Sequence, residues 1–234
     1  MNQETGMSAK LENISACVFD AYGTLFDVNA AAAHCADELG DKWQPLAEVW
    51  RNKQLQYTWL RSLMQRHVDF WQLTTDALDY SLDAHGVSDE ALRQRLLDLY
   101  MSLDAYPEVK DVLTSLKDAG LKTAILSNGS PDMLNSAVAN AGIGGVLDGV
   151  LSVENVHIYK PHPSVYQLAC DEFEIMPGEI AFQSSNAWDA AGAATFGFRV
   201  VWVNRFGQVR ERLPDQPDIE ITTLSELPAI VGAA

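Results

Sequence analysis

Asp20 follows the apolar run Ala16-Cys17-Val18-Phe19 without a spacer and is followed in turn by Tyr22-Gly23-Thr24. A carboxylate at the mouth of a buried strand, on a tight turn whose backbone N–H groups can face an anion, stands where a nucleophile must stand. Two further apolar runs end in polar groups. Thr123-Ala124-Ile125-Leu126 leads to Ser127-Asn128, and Ile180-Ala181-Phe182 leads through Gln183 to Ser184-Ser185-Asn186, with Asp189 one turn on. In an open parallel sheet, ligands bind outside the carboxyl ends of the strands, so these three strand ends would deliver their polar groups to one crevice. Lys160, in Tyr159-Lys160-Pro161, supplies the cation to hold them. The chemistry such a set points to is nucleophilic, with Asp20 as the attacking group.

The elements that must position these residues alternate between short apolar runs and longer helical patterns, the rhythm of βα units around a parallel sheet. Val200-Val201-Trp202-Val203 is a fourth strand candidate. Val109, Val112, Leu113 and Leu116 fall at helical spacing and lead to Gly120, a C-terminal stop. Ser130-Pro131 reads as an N-cap and first helical residue, with Gly142 ending that helix. Between about Val28 and Tyr106 no strand is convincing, and Leu46, Val49, Trp50, Lys53, Tyr57, Leu60 and Met64 mark a helical pattern instead. The expectation is an α/β fold: a Rossmann-like parallel-sheet core with helices on both faces, formed by residues 14–27 and 107–234, and a helical cap inserted at residues 28–106. The tail after Pro214 is expected to finish the sheet's edge.

Composition narrows the function classes. The 234-residue chain carries 16 Lys+Arg against 32 Asp+Glu, a formal net charge of -16, which gives neither nucleic acid nor an anionic membrane the basic footprint it needs. An anionic substrate must therefore be caught by local positive groups. Cys17, Cys35 and Cys170 are odd in number and lack CxxC spacing, so neither a disulfide framework nor a zinc site is expected. Residues 1–13 are polar with no apolar leader, and no later run is long enough to span a bilayer, which reads as cytoplasmic. His34, His67, His85, His157 and His162 show no metal-ligand spacing and are read as structural, His157 as an exposed loop residue.

At Asp20-Ala21-Tyr22-Gly23-Thr24, Ser127, Lys160 and the cluster after residue 183, the chain resembles the haloacid dehalogenase superfamily, whose strand-end pattern is D-x-D-G-T, then Ser/Thr, then Lys, then acidic residues. Tyr22 stands where the superfamily's phosphatases have their general acid, and Ser184-Ser185 stand where acidic magnesium ligands begin. Too few carboxylates remain to hold that hard cation. These departures are similar to the (S)-2-haloacid dehalogenase branch, as are Trp50-Arg51-Asn52-Lys53-Gln54-Leu55, Leu126-Ser127-Asn128-Gly129-Ser130-Pro131 and Ser184-Ser185-Asn186-Ala187-Trp188-Asp189. Asn52, where Gln is common, and Gln183, where an apolar residue is usual, depart from that branch. A phosphatase on the same fold is the alternative reading, and a non-catalytic binding protein is a third.

The resemblance implies hydrolytic dehalogenation of short (S)-2-haloalkanoic acids to (R)-2-hydroxy acids, with no cofactor and no metal. Asp20 would displace halide in line and form an ester, inverting C2, and water would then attack the ester carbonyl. Arg51 would receive the halide, with Asn52 beside it. Ser127 and backbone N–H groups near Ala21, Tyr22 and Asn128 would hold the substrate carboxylate. Asp189, helped by Asn186 and Ser184, would serve the hydrolytic water. Lys160 would offset the two carboxylates, and Thr24 and Tyr166 would orient Asp20 and Lys160 or the water. Leu55, Phe70, Trp188 and the Tyr22 ring are candidates for an apolar wall. Each has a plainer reading: Asp20 as a turn cap, Arg51 as a solvated helix residue, Ser127 and Asp189 as helix-end residues, Lys160 as a surface cation, the aromatics as core. The partners implied are the 2-haloacid, the halide and a second copy through the cap helices.

Overall fold

The computed structural model describes residues 10–233. The reading of residues 1–13 as lacking an apolar leader falls mostly on residues 1–9, outside the described residues. Six parallel strands form one sheet: β1 (Ala16–Phe19), β2 (Lys122–Ser127), β3 (Gly149–Ser152), β4 (Ile180–Ser184), β5 (Arg199–Val203) and β6 (Ile219–Ile221), in the order β3-β2-β1-β4-β5-β6. The strand leading to Asp20 is therefore interior, with Phe19 opposite Ile125 of β2 on one side and Gln183 of β4 on the other. Every residue of β1 and β4 is buried although successive side chains point to opposite faces, which requires cover on both faces of the sheet. Helices α6 (Val109–Asp118), α7 (Pro131–Ala141), α8 (Pro163–Phe173) and α9 (Ala187–Phe196), with the short C-terminal α10 (Leu227–Ile230), supply that cover.

Between β1 and α6 the chain is helical: α1 (Ala30–His34), α2 (Ala36–Leu39), α3 (Trp43–Met64), α4 (Phe70–Ala84) and α5 (Glu90–Met101). Capping defines the later two, since the Asp69 carboxylate accepts from Gln72 N at 2.8 Å and that of Asp89 from Leu92 N at 3.0 Å. The two chain crossings at the base of this insertion are tied together, Asp27 N to Asp104 O at 3.0 Å and Tyr106 N to Leu25 O at 2.9 Å. Gly142 ends α7 at φ +62°, as its sequence position suggests. Ser130 holds the cap position of α7 without a side-chain bond. β3 is the strand that the apolar pattern does not announce. Only four residues long and opened by Gly149, it lies at the sheet's edge with Val150 exposed, so it carries little of the apolar signal of the interior strands. β6, in the tail after Pro214, closes the other edge. Among the described residues no helix is long and apolar enough to cross a membrane.

Candidate active site

The sheet itself aims Asp20. Its N–H donates to the Gln183 carbonyl at 2.9 Å, extending the pairing of β1 with β4 one residue past the strand. The Ala21 carbonyl then accepts from Thr24, Leu25 and Phe26 N–H at 3.2, 2.9 and 3.1 Å, closing a turn in which Gly23 takes φ +93°, a value open to glycine at no steric cost. The Asp20 side chain, 8% exposed, is held by three donors. Oδ2 accepts from the Thr24 hydroxyl at 3.1 Å and Asn186 Nδ2 at 2.8 Å, and Oδ1 accepts from Lys160 Nζ at 3.1 Å.

Lys160 reaches this point because Asn128 Oδ1 accepts its backbone N–H at 3.0 Å. The ammonium also donates to Asp189 Oδ2 at 2.8 Å, so one buried cation lies between two buried carboxylates. Burial alone would pull the ammonium's pKa down, but Asp189 and Asp20 outweigh it and hold it above the ordinary lysine value. For Asp189 burial dominates and pushes the carboxyl above its usual range, against the pull of Lys160. Tyr166 donates to Asp189 Oδ1 at 2.8 Å, and burial, with the Asp189 charge, pushes its own hydroxyl well above the ordinary tyrosine value. It stays a donor at every working pH.

The insertion contributes the second cation. Arg51, on α3, donates through Nη2 to the Tyr22 carbonyl at 3.2 Å and to Asn186 Oδ1 at 3.3 Å, and through Nη1 to Gln54 Oε1 at 2.7 Å. Gln54 Nε2 in turn donates to Thr74 Oγ1 at 2.7 Å and to the Tyr100 hydroxyl at 3.0 Å. Asn186 therefore touches both sides, tying Asp20 to the arginine. Tyr22 stacks on Tyr100, 5.8 Å between centroids and 14° between planes, and tilts against Phe70 at 5.8 Å. Its hydroxyl is buried without a protein partner among the described residues, and burial pushes its pKa well up, so it remains a neutral donor. The N–H groups of Ala21, Tyr22 and Asn128 also have no protein acceptor among the described residues. The cavity that Arg51 lines with Val28, Ala47, Trp50, Gln54 and Tyr100 measures about 10 Å³, room for about one water. The site is closed.

The remaining expected residues fall out unevenly. Ser127, buried at the end of β2, accepts from Gly129 N–H at 3.0 Å and keeps its hydroxyl proton for another acceptor. Ser184 Oγ accepts from Asn186 N–H at 3.1 Å, so it shapes the turn that aims Asn186 and has no contact with a carboxylate. Tyr166 orients Asp189, not Lys160. Phe70 is buried against Tyr22 and Tyr159. Leu55 is half-buried one turn beyond Arg51. The Trp188 ring meets Trp59 of α3 edge-on at 5.3 Å, and its Nε1 has no protein partner among the described residues. Asn52 departs from expectation. One residue past Arg51 is about 100° round a helix, and Asn52 is exposed beside Val49, Lys53, Gln56, Trp59 and Leu60, away from the carboxylates. Gln54 and Tyr100 were not singled out, yet they brace Arg51. Gln54 sits three residues after the arginine on the same helical face, a usable signal, whereas Tyr100 is brought in from α5 and leaves none.

A strand-end carboxylate inside a parallel sheet, a lysine bridging it to a second buried carboxylate, and a helical insertion whose arginine reaches the Asn186 that holds the first define a capped α/β hydrolase. The chain belongs to the haloacid dehalogenase-like hydrolase family, whose sequence model matches residues 14–197. Within it, the chain is 46% identical to (S)-2-haloacid dehalogenase 1 of Pseudomonas sp. (strain CBS-3) over 222 residues, 94% of this chain and 98% of that one. A solved dehalogenase structure covers 94% of this chain and 98% of its own at 44% identity and TM-score 0.92. The L-2-haloacid dehalogenase of Xanthobacter autotrophicus, solved with chloropropionic acid covalently bound, covers 92% of this chain and 97% of its own at 39% identity and TM-score 0.86.

Proposed function

We propose that this protein hydrolyses short (S)-2-haloalkanoic acids to (R)-2-hydroxyalkanoic acids and halide through an ester on Asp20. The observation that carries this reading is the Asp20–Lys160–Asp189 chain, at 3.1 and 2.8 Å, with Tyr22 where a phosphatase would carry a second acid. Asp20 Oδ2 is engaged by two donors and Oδ1 by one, so Oδ1 keeps a lone pair for in-line attack on C2. The carbon–halogen bond breaks with its electron pair leaving on the halide, which Arg51 receives. The substrate carboxylate is held by the Ser127 hydroxyl and the N–H groups of Ala21, Tyr22 and Asn128. Water then adds to the Asp20 ester carbonyl, its proton passing to Asp189, whose raised pKa makes it the stronger base. Collapse releases the hydroxy acid and restores Asp20, the net products being hydroxy acid, halide and one proton.

The reaction as read needs no metal. Both carboxylates of the site are held by the one Lys160 ammonium, and the serines after β4 are poor ligands for a hard divalent cation. Residues 28–106 act as the cap over a core of 14–27 and 107–234. Arg51 reaches from α3 to the Tyr22 carbonyl and Asn186, and admitting substrate beneath it calls for cap opening at each turnover. Exposed Leu60, Leu63 and Met64 at the end of α3 support a homodimer through the cap, for which a single monomeric species in sedimentation would be decisive against. Three free, buried cysteines suit a reducing cytoplasm.

The deciding experiment measures halide release from each enantiomer of 2-chloropropionate, with and without EDTA, beside Asp20→Asn and a phosphate monoester. Chelator-insensitive chloride from the (S) acid, lost in the variant, is expected. Magnesium-dependent phosphate release without chloride would make the protein a phosphatase.

A further inference from the structure

On the opposite flank of the cap seam, His67, Glu154 and His157 converge, their ligand atoms all within 4.8 Å of one another. The structure assigns these residues a divalent transition-metal site of the zinc class that fastens the cap to the core. His67 comes from the turn between α3 and α4. Glu154 and His157 come from the turn after β3, three residues apart. Neither chain-local spacing nor composition betrays the group, since His67 lies 87 residues from Glu154.

Geometry and donor chemistry both fit. Ligands about 2.0–2.2 Å from a tetrahedral zinc lie about 3.4 Å from one another. His67 Nε2 stands 3.0 Å from Glu154 Oε2, and His157 Nδ1 stands 3.9 Å from that same oxygen, on either side of this value. Two imidazoles and a carboxylate leave a fourth position for water. A further feature points to a ligand here. Glu154 Oε1, the second oxygen of the carboxylate that His67 Nε2 meets, is buried without a protein partner among the described residues, which leaves it free to ligate a cation.

The place matters because this seam leads into the catalytic loop. Tyr159 donates its hydroxyl to Val68 O at 2.5 Å and its N–H to Ser62 Oγ at 3.3 Å, and Lys160 follows it directly. A cation joining His67 to Glu154 and His157 adds a third tie between the cap turn and the segment that presents Lys160. Binding the cation therefore favours the closed cap.

The test is a titration of the full-length, chelator-stripped protein with Co²⁺, read by its visible d–d absorption, followed by displacement with Zn²⁺. One saturable site is expected, weakened at least about tenfold in His67→Gln and in His157→Gln. Zn²⁺ should also slow amide exchange in residues 65–69 of the unsubstituted protein and leave it unchanged in the variants. The His157 side chain is 74% exposed, so His157→Gln keeps the fold if His67→Gln does not. Absence of saturable absorption at millimolar Co²⁺, or a titration indifferent to His157→Gln, overturns the assignment. Either result leaves the dehalogenase reading untouched, because none of the three residues enters that chemistry.

Discussion

Lys160→Met removes the single ammonium between Asp20 and Asp189 while keeping a side chain of similar length. The two carboxylate oxygens lie within 3.1 and 2.8 Å of one nitrogen. They are thus no more than about 6 Å apart, and at an effective dielectric of about 20 two unit charges at that distance repel by about 3 kcal/mol. Breaking a buried ion pair by deleting one partner costs about 3–5 kcal/mol. The variant should lose that much stability at pH 8 in urea denaturation. Repulsion of about 3 kcal/mol is worth about two pH units, so one carboxyl of the pair takes up a proton well above its unfolded value. A folded state that binds the extra proton gains stability as pH falls, by up to about 1.4 kcal/mol per unit, until the unfolded chain's own carboxyls protonate. The deficit of the variant should therefore shrink between pH 8 and pH 5, by about 1.4 kcal/mol. A loss below about 1 kcal/mol at pH 8, or an equal loss at both pH values, would refute the placement of both charges on one lysine.

Three other outcomes follow from the site. Asp189 must be ionised to take a proton from water and its pKa is raised by burial, so ester hydrolysis should fall away as pH drops through a value above the ordinary carboxylate figure of about 4. An acid limb at or below that figure in single-turnover rates, or one that survives Asp189→Asn, would remove it as the base. Both amide atoms of Gln183 are buried without a protein partner among the described residues, so Gln183→Leu should stabilise the fold by about 1–3 kcal/mol in urea; a lower midpoint would contradict this. A Cβ on Gly129 would sit 2.7 Å from Tyr22 Cε2 and 3.0 Å from Leu134 Cδ2, so Gly129→Ala should displace the Tyr22 ring and raise KM for the haloacid while the circular dichroism is kept.

Much of this arrangement was legible in the residues because buried strands and strand-end polar groups are local signals. Asp20, Ser127 and Asn186 lie where their apolar runs stop, and the residues at Tyr22 and Ser184-Ser185 mark the branch. What was not legible depends on distance or phase. Asn52 adjoins Arg51 in sequence and faces the other way in the helix. Tyr100 and Gln54 meet from positions 46 residues apart, and β3, opened by Gly149 at the sheet's edge with Val150 exposed, lacks the apolar run of an interior strand. Ser184 acts through Asn186, whose N–H its hydroxyl accepts at 3.1 Å, a pairing two residues apart that the sequence alone does not display.

The contact of Arg51 with the Tyr22 carbonyl and Asn186, made from the cap, has a consequence for selectivity. In the reading proposed here, the group that stabilises the leaving halide arrives only with the lid that shuts out solvent. An exposed alkyl halide that cannot draw the cap down meets a carboxylate restrained by three donors and finds no counter-ion for its halide. The enzyme is in this way shielded from poisoning by stray alkylating agents, since its nucleophile becomes dangerous to carbon only behind a closed door.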